Sequence, residues 1–256
     1  MILKSAYWEV NKVNNGAIIY FQKGFNFSQD GPGNRLVYHL YGCNFRCPWC
    51  SNPECFAKDT KVTVQSVQEI TNDIIRSRPM FFSGGGVTFT GGEPTLQFDA
   101  LRAVMSNIRS QGIHTALESN GSHERLSELF PHVDYLLMDL KLVDISRHSK
   151  ILKYSNENVI KNIKLAAKTR QLALRIPLIR GYNDSDEHID DFIDLIKDFT
   201  SNPDFTLELL PYHEYGRVKW QQHSMSYTVK DGFLTSERMK EIYGRFKENN
   251  IKIIHT

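Results

Sequence analysis

Gly42-Cys43-Asn44-Phe45-Arg46-Cys47-Pro48-Trp49-Cys50 follows directly on the strand-like run Leu36-Val37-Tyr38-His39-Leu40 and holds three of the chain's four cysteines. The C-x3-C-x2-C spacing puts three thiolates on one short loop at a strand end. Thiolates suit soft metals and iron-sulfur clusters. A cubane cluster in an electron-transfer protein normally takes four cysteine ligands, so a three-cysteine loop leaves one iron open to a ligand that is not protein. An open metal position points to chemistry rather than structure, by the logic that separates catalytic from structural zinc. A four-thiolate zinc knot of Cys43, Cys47, Cys50 and Cys55 is the competing reading. Structural zinc ligands usually come as two separated knuckles, so Cys55 reads as a free thiol.

Outward from this loop the chain alternates strands and helices. Ala17 to Phe21 reads as a lead-in strand, followed by the turn-rich Asp30-Gly31-Pro32-Gly33. Val64 to Arg78 reads as a helix and Val87 to Thr90 as a strand ending at Gly91-Gly92-Glu93. Leu101, Val104, Met105 and Ile108 make one helical stripe. Strands are expected at His114 to Leu117, Tyr135 to Met138, Leu172 to Ile176 and Thr206 to Leu210, with helices near Glu124 to Phe130, Glu157 to Lys168 and Glu237 to Glu248. Asn183-Asp184 reads as the cap of a helix carrying Ile189, Phe192 and Ile196 on one face. This rhythm implies a parallel sheet with right-handed crossovers. About six units are too few for a closed eight-fold barrel. The expected fold is therefore α/β, an open partial barrel in one domain over residues 1–256, whose lateral gap could admit a macromolecule.

Composition excludes several classes of function. The chain is 41% hydrophobic and 23% charged with a net charge of +2 and no block of like charges, so a nucleic-acid surface is not indicated. Four cysteines, three on one loop, do not make a disulfide framework and suit a reducing compartment. Met1 to Val10 has no apolar core of a signal peptide, and no apolar run approaches membrane-spanning length. A cytoplasmic protein is expected, with neither membrane nor nucleic acid as partner.

The chemically conspicuous residues fall at or just past predicted strand ends: Cys43, Glu93, Glu118, Asp139 with Lys141, Arg175 and His213. Parallel barrels place active sites on that face. Gly91-Gly92 lets a ligand approach the backbone, and Glu93 adds a carboxylate able to accept an ammonium group. Asp139 and Lys141, two apart, share a face. Arg175, in an apolar strand, needs a partner or a charged ligand. His39 is taken as a strand residue without a role.

These residues resemble the radical S-adenosylmethionine superfamily. More narrowly, Asp30-Gly-Pro-Gly33, Gly84-Gly-Gly-Val-Thr88 running into Gly91-Gly-Glu93, Asp139-Leu-Lys141 and Leu209-Leu-Pro-Tyr-His213-Glu-Tyr-Gly216 resemble the activating enzymes of glycyl-radical enzymes, those of pyruvate formate-lyase nearest. The match runs in order over about residues 20 to 220. The resemblance implies a partial (β/α)6 TIM-like barrel holding one 4Fe-4S cluster on Cys43, Cys47 and Cys50, its open iron chelated by S-adenosyl-L-methionine. It places Trp49, Cys50 and Ser51 beside this cofactor and Gly91, Gly92 and Glu93 at its amine. Asp139, Leu140, Lys141 and His213 meet the rest, with Glu118 and Arg175 near, and Asp30 touches the substrate's glycine loop.

The implied reaction is reductive cleavage of the sulfonium, after which a 5'-deoxyadenosyl radical takes an α-hydrogen from a glycine of a glycyl-radical enzyme. Pyruvate formate-lyase is the expected target and another glycyl-radical enzyme the alternative, with flavodoxin or ferredoxin as electron donor. A non-catalytic metal-binding interaction protein is the reading from a different class. The chain departs from its nearest relatives in having Glu118-Ser119 where they have Asp-Thr. Cys50-Ser51-Asn52-Pro53-Glu54 is similar to activators with a ferredoxin-like insert, but only one cysteine follows Cys50, so a single cluster is expected.

Overall fold

The computed structural model describes residues 16–27, 30–169 and 172–254; the N-terminal stretch Met1 to Val10 lies outside them. Eight strands form one sheet in the order β3-β1-β2-β4-β5-β6-β7-β8. They are β1 (Ala17–Asn26), β2 (Arg35–Leu40), β3 (Thr63–Ser66), β4 (Gly86–Gly91), β5 (His114–Ser119), β6 (Tyr135–Asp139), β7 (Leu172–Leu178) and β8 (Phe205–Pro211). Strands β2, β4, β5, β6, β7 and β8 run parallel. β1 is antiparallel to both β2 and β3, extending the sheet at one edge. The parallel series matches the expected six strands and is open: β1 and β3 extend the sheet beyond β2, and β8, at the other edge, bridges from Leu207 to Ile253.

Among the described residues seven α-helices accompany the sheet: α1 (Val67–Arg76), α2 (Phe98–Ser110), α3 (Ile145–Leu152), α4 (Glu157–Thr169), α5 (Asp186–Ile196), α6 (Arg217–Gln222) and α7 (Ser236–Glu248). Their apolar stripes and the outward side chains of the strands make one core, which holds Tyr38 stacked on Phe89 in the sheet and Ile74, Met105, Phe192 and Phe246 from the helices. Among the described residues no helix is long and apolar enough to cross a membrane.

The other face of the sheet is different. Ala116, Leu137 and Ala173 form a small separate apolar cluster there. Side chains two residues along share that face, and these are Glu118, Asp139 and Arg175. Parallel strands covered on both faces usually read as unbroken apolar runs. Here the alternation of apolar and charged residues marks an inner face built for something other than packing.

Several local expectations shift. The helix expected from Val64 begins at Val67, because Val64, Gln65 and Ser66 pair with β1. Ser66 then caps α1 in a reciprocal box with Glu69. The helix expected near Glu124 to Phe130 is a 3-10 segment at Leu126–His132 containing Pro131. Ser185, not Asn183 or Asp184, caps α5. Asn183 instead donates to the carbonyls of Lys141 (3.0 Å) and Pro177 (2.7 Å) and accepts from Ile179 N, tying the loop after β7 to the loop after β6.

Gln97, wholly buried, fastens the edge hairpin to the glycine corner: its Oε1 accepts from Ile19 N and its Nε2 donates to Ile19 O (both 2.7 Å) and Tyr41 O (3.0 Å). Gln97→Ala strands these main-chain groups and is expected to lower stability by at least about 1–3 kcal/mol, the cost of one buried unpaired group. Denaturant unfolding reads this; an unchanged midpoint would contradict the role.

Candidate active site

The thiol loop leaves β2 through Gly42, whose φ of 101° suits glycine. Gly42 N donates to Cys55 O and Glu93 N donates to Gly42 O, both at 2.8 Å, while Gly92 N donates to Leu40 O at 3.0 Å. A Cβ on Gly92 would lie 2.0 Å from Gly42 O, so glycine is required for this approach. Inside the loop, Arg46 donates to the carbonyls of Cys43 and Phe45 (2.7 Å each) and stacks over Phe56. From the far end of the chain, Trp220 Nε1 on α6 donates to Cys50 O at 2.9 Å. The loop is thereby fixed on both sides before any ligand arrives.

All four cysteines are free thiols, Cys47 and Cys55 buried and Cys43 and Cys50 half-buried. Burial pushes the Cys47 thiol up against the pull of nearby Lys141. A hydrogen bond from the Cys55 thiol draws Cys50 down. Burial and its hydrogen bonds to Cys43 and Cys50 hold Cys55 protonated, well above its ordinary value. Three thiols on one loop, close enough to act on one another, are the soft ligands that an iron-sulfur cluster takes.

The inner face brings the charged candidates together. Arg175 donates to a Glu118 oxygen and, from Nε, to Asp139 Oδ1 at 3.1 Å; Lys141 Nζ donates to Asp139 Oδ2 at 2.8 Å. Burial alone would raise Asp139, but Lys141 and Arg175 outweigh it and hold the carboxyl down to about 2. The same pairs keep Lys141 and Arg175 protonated despite burial. Leu140, between them, donates its N–H to Arg175 O at 2.8 Å.

Glu93 sits differently from the simple expectation. Its carboxylate is fully buried, with Oε1 accepting from Thr95 N (3.1 Å), the Thr95 hydroxyl and Ser119 Oγ (2.9 Å), and Oε2 from Asn120 N (2.7 Å). Four internal donors saturate it. What this corner offers a ligand is the main chain of half-buried Gly91 and Gly92. Trp49 is buried edge-on to Tyr182, Ser51 is half-buried, and His213, just past β8, stacks on Tyr215 with its pKa lowered by burial.

Asp30 lies toward the start of the strands, its carbonyl accepting from Thr88 Oγ1 at 2.7 Å. Burial and Glu118 raise its carboxyl, which accepts from Asn26. The residue that places it was not read from sequence. Arg35, fully buried, donates to Thr88 Oγ1 (2.6 Å), Pro32 O (2.9 Å) and Val87 O (2.5 Å). An arginine opening an apolar strand was the available signal. Asn44 was also missed: it donates to Ser122 Oγ at 2.7 Å and accepts from Asn120 at 2.9 Å, joining the thiol loop to the loop after β5.

Because the Asp139 carboxyl is held near 2, below its ordinary ~3.9, its contribution is whole above that ordinary value and disappears as pH falls through the lowered one. Asp139→Asn is expected to cost about 3–5 kcal/mol at neutral pH by leaving the buried Lys141 without its carboxylate and Arg175 with Glu118 alone. The gap between variant and wild type in unfolding experiments should close as pH approaches the lowered value. A gap independent of pH would contradict the pairing.

Comparison with known proteins agrees with this geometry. The pattern of the radical SAM superfamily matches residues 37–194, more than half of the chain. A 4-hydroxyphenylacetate decarboxylase activating enzyme of Clostridioides difficile is 29% identical over 87% of this chain and 90% of its own length. A pyruvate formate-lyase-activating enzyme of Staphylococcus aureus is 30% identical over 79% of this chain and 84% of its own. Among solved structures, a domain of pyruvate-formate lyase-activating enzyme from Bacteroides vulgatus superposes with a TM-score of 0.54 at 28% identity, covering 67% of this chain and 98% of that domain. Enzymes of this superfamily use a 4Fe-4S cluster and S-adenosylmethionine, chemistry that the three-thiol loop can hold. By these matches and by its own site, the chain belongs to the radical SAM superfamily, among the activating enzymes of glycyl-radical enzymes.

Proposed function

We propose that this chain installs a glycyl radical on pyruvate formate-lyase in an anaerobic cytoplasm, taking its electron from a flavodoxin or ferredoxin. The observation that carries the reading is the three-thiol loop, one ligand short of a complete cubane, clamped against a glycine corner at the mouth of an open parallel sheet. When bound, the cluster and S-adenosylmethionine supply one electron and a carbon radical able to take a glycine α-hydrogen.

The protein's share is holding and orienting. Cys43, Cys47 and Cys50 would each hold one iron of the cluster. The main chain at Gly91 and Gly92 receives the methionyl amine, in a corner whose shape Glu93 maintains through Ser119 and Asn120. Asp139 and Lys141, locked by Arg175, present one acid and one base to the remainder of the cofactor. Trp49, Ser51, Leu140 and His213 close the site around it and limit access of water. Glu118 is engaged by Arg175 and acts through that pair. Asp30, fixed by Arg35 and Thr88, meets the substrate's glycine loop. No general base is required by this reaction.

A second reading within the same chemistry is activation of a different glycyl-radical enzyme. It is favoured by the decarboxylase-activating relative, whose match spans more of this chain than that of the pyruvate formate-lyase relative.

After anaerobic reconstitution the protein should be brown and should cleave S-adenosylmethionine when reduced. Cys47→Ala should abolish both properties, and Cys55→Ala should leave both largely intact. A colourless protein with stoichiometric zinc, or loss of the cluster in Cys55→Ala, would overturn the three-ligand assignment. Electron paramagnetic resonance of pyruvate formate-lyase after incubation with the reduced protein and S-adenosylmethionine should show a glycine-centred doublet. The doublet arising only in 4-hydroxyphenylacetate decarboxylase would transfer the assignment to the second reading.

A further inference from the structure

The carbonyl oxygens of all three loop cysteines accept hydrogen bonds, but from donors of different origin. Cys43 O accepts from Arg46 Nη1 at 2.7 Å, and Cys47 O accepts from Cys50 N at 3.1 Å. Both donors belong to the loop itself. Cys50 O instead accepts from Trp220 Nε1 at 2.9 Å, a donor 170 residues further along the chain.

The indole is itself held in place. Its ring meets Phe56 edge-on with centroids 5.6 Å apart and Tyr227 edge-on at 5.9 Å. Such contacts orient a ring as well as bury it. Phe56 also lies under the Arg46 guanidinium, 4.8 Å from its centre, so one phenyl ring touches both side chains that fasten the first and third cysteines. Gly216, buried at the start of α6, completes the approach: a Cβ there would lie 2.3 Å from the same Cys50 oxygen. Lys219 adds an ion pair to Glu54 at 2.8 Å and a hydrogen bond to Asn52 Oδ1 at 3.3 Å. A helix of six residues does not stand by its own hydrogen bonds, so the place of α6 depends on contacts of this kind.

We propose that Trp220 is the positioning residue for Cys50. Its indole N–H fixes the main chain of the third ligand, and through it the direction and cover of that thiol. This rests on the reading of the loop as a three-ligand cluster seat. To that reading it adds a residue from beyond β8 that the cysteine spacing does not contain.

The test begins with the protein before cluster loading. Reduced protein is treated with limiting iodoacetamide, and the labelling rate of each cysteine is read from its peptide by mass spectrometry. Trp220→Phe keeps an aromatic ring between Phe56 and Tyr227 but removes the donor. Replacing Trp220 by β-(3-benzothienyl)alanine removes only the N–H from a ring of matched shape. Both should raise the labelling rate of Cys50 relative to that of Cys43 about three- to tenfold, the scale of one hydrogen bond. After anaerobic reconstitution, both should lose cluster absorbance several-fold faster under a chelator. Lys219→Met removes the neighbouring ion pair and spares the indole, so it should leave the Cys50-to-Cys43 ratio within about twofold of wild type. An unchanged ratio in both Trp220 variants, whether the two cysteines accelerate together or not at all, overturns the assignment. A ratio raised as much by Lys219→Met also overturns it, since docking of α6 rather than the indole donor would then be the cause. A wild-type protein that takes up no cluster counts against the proposed function, and the labelling ratio still decides the role of Trp220.

Discussion

The contact between Gly42 O and the main chain of Gly92 and Glu93 sets the rest of the site. A single added methyl at Gly92 would collide with that carbonyl, so the loop after β2 and the loop after β4 meet backbone to backbone. Glu93 extends the lock to a third strand, because its buried carboxylate is saturated by Thr95, Ser119 and Asn120. A buried carboxylate is tolerated only when its acceptor positions are filled. The result is a corner in which three consecutive parallel strands end in mutually dependent loops. The thiols ride on one of them.

The inner face follows a different energetic logic from the outer one. Outward side chains make the apolar core under the helices, where burial of apolar area stabilises the fold. Inward, Glu118, Arg175, Asp139 and Lys141 form a connected chain of ion pairs. Desolvating such charges costs more than replacing them with apolar residues would. A fold that retains them needs their chemistry. A cofactor with an ammonium, a carboxylate and a sulfonium is a ligand for which fixed, paired charges give orientation without reorganisation at the moment of reaction.

Legibility in the sequence followed the range of the interactions. The six parallel strands could be read because alternation and loop residues are local signals, and the cysteine spacing is local too. Cys43, Glu93, Glu118, Asp139, Arg175 and His213 could be placed on one face because strand ends follow from the same pattern. The direction of the Glu93 carboxylate could not, since its partners Ser119 and Asn120 lie on the next strand and loop. The start of α1 was obscured because Val64 to Ser66 has helix-compatible residues and becomes strand only by pairing with β1. Short α3 and α6 give too little periodicity to register. Arg35 and Lys219 were missed for a related reason: each acquires its meaning from a group distant in sequence, as when Lys219 reaches back to Asn52 and Glu54.

The account depends on one iron of the cluster lacking a protein ligand and receiving the amine of S-adenosylmethionine. Electron-nuclear double resonance on the reduced, reconstituted protein, with the cofactor isotopically labelled at its amino nitrogen, measures that bond directly. The account predicts a hyperfine coupling from the labelled nitrogen to the cluster that vanishes with unlabelled cofactor. A cluster spectrum unaffected by the label would contradict it.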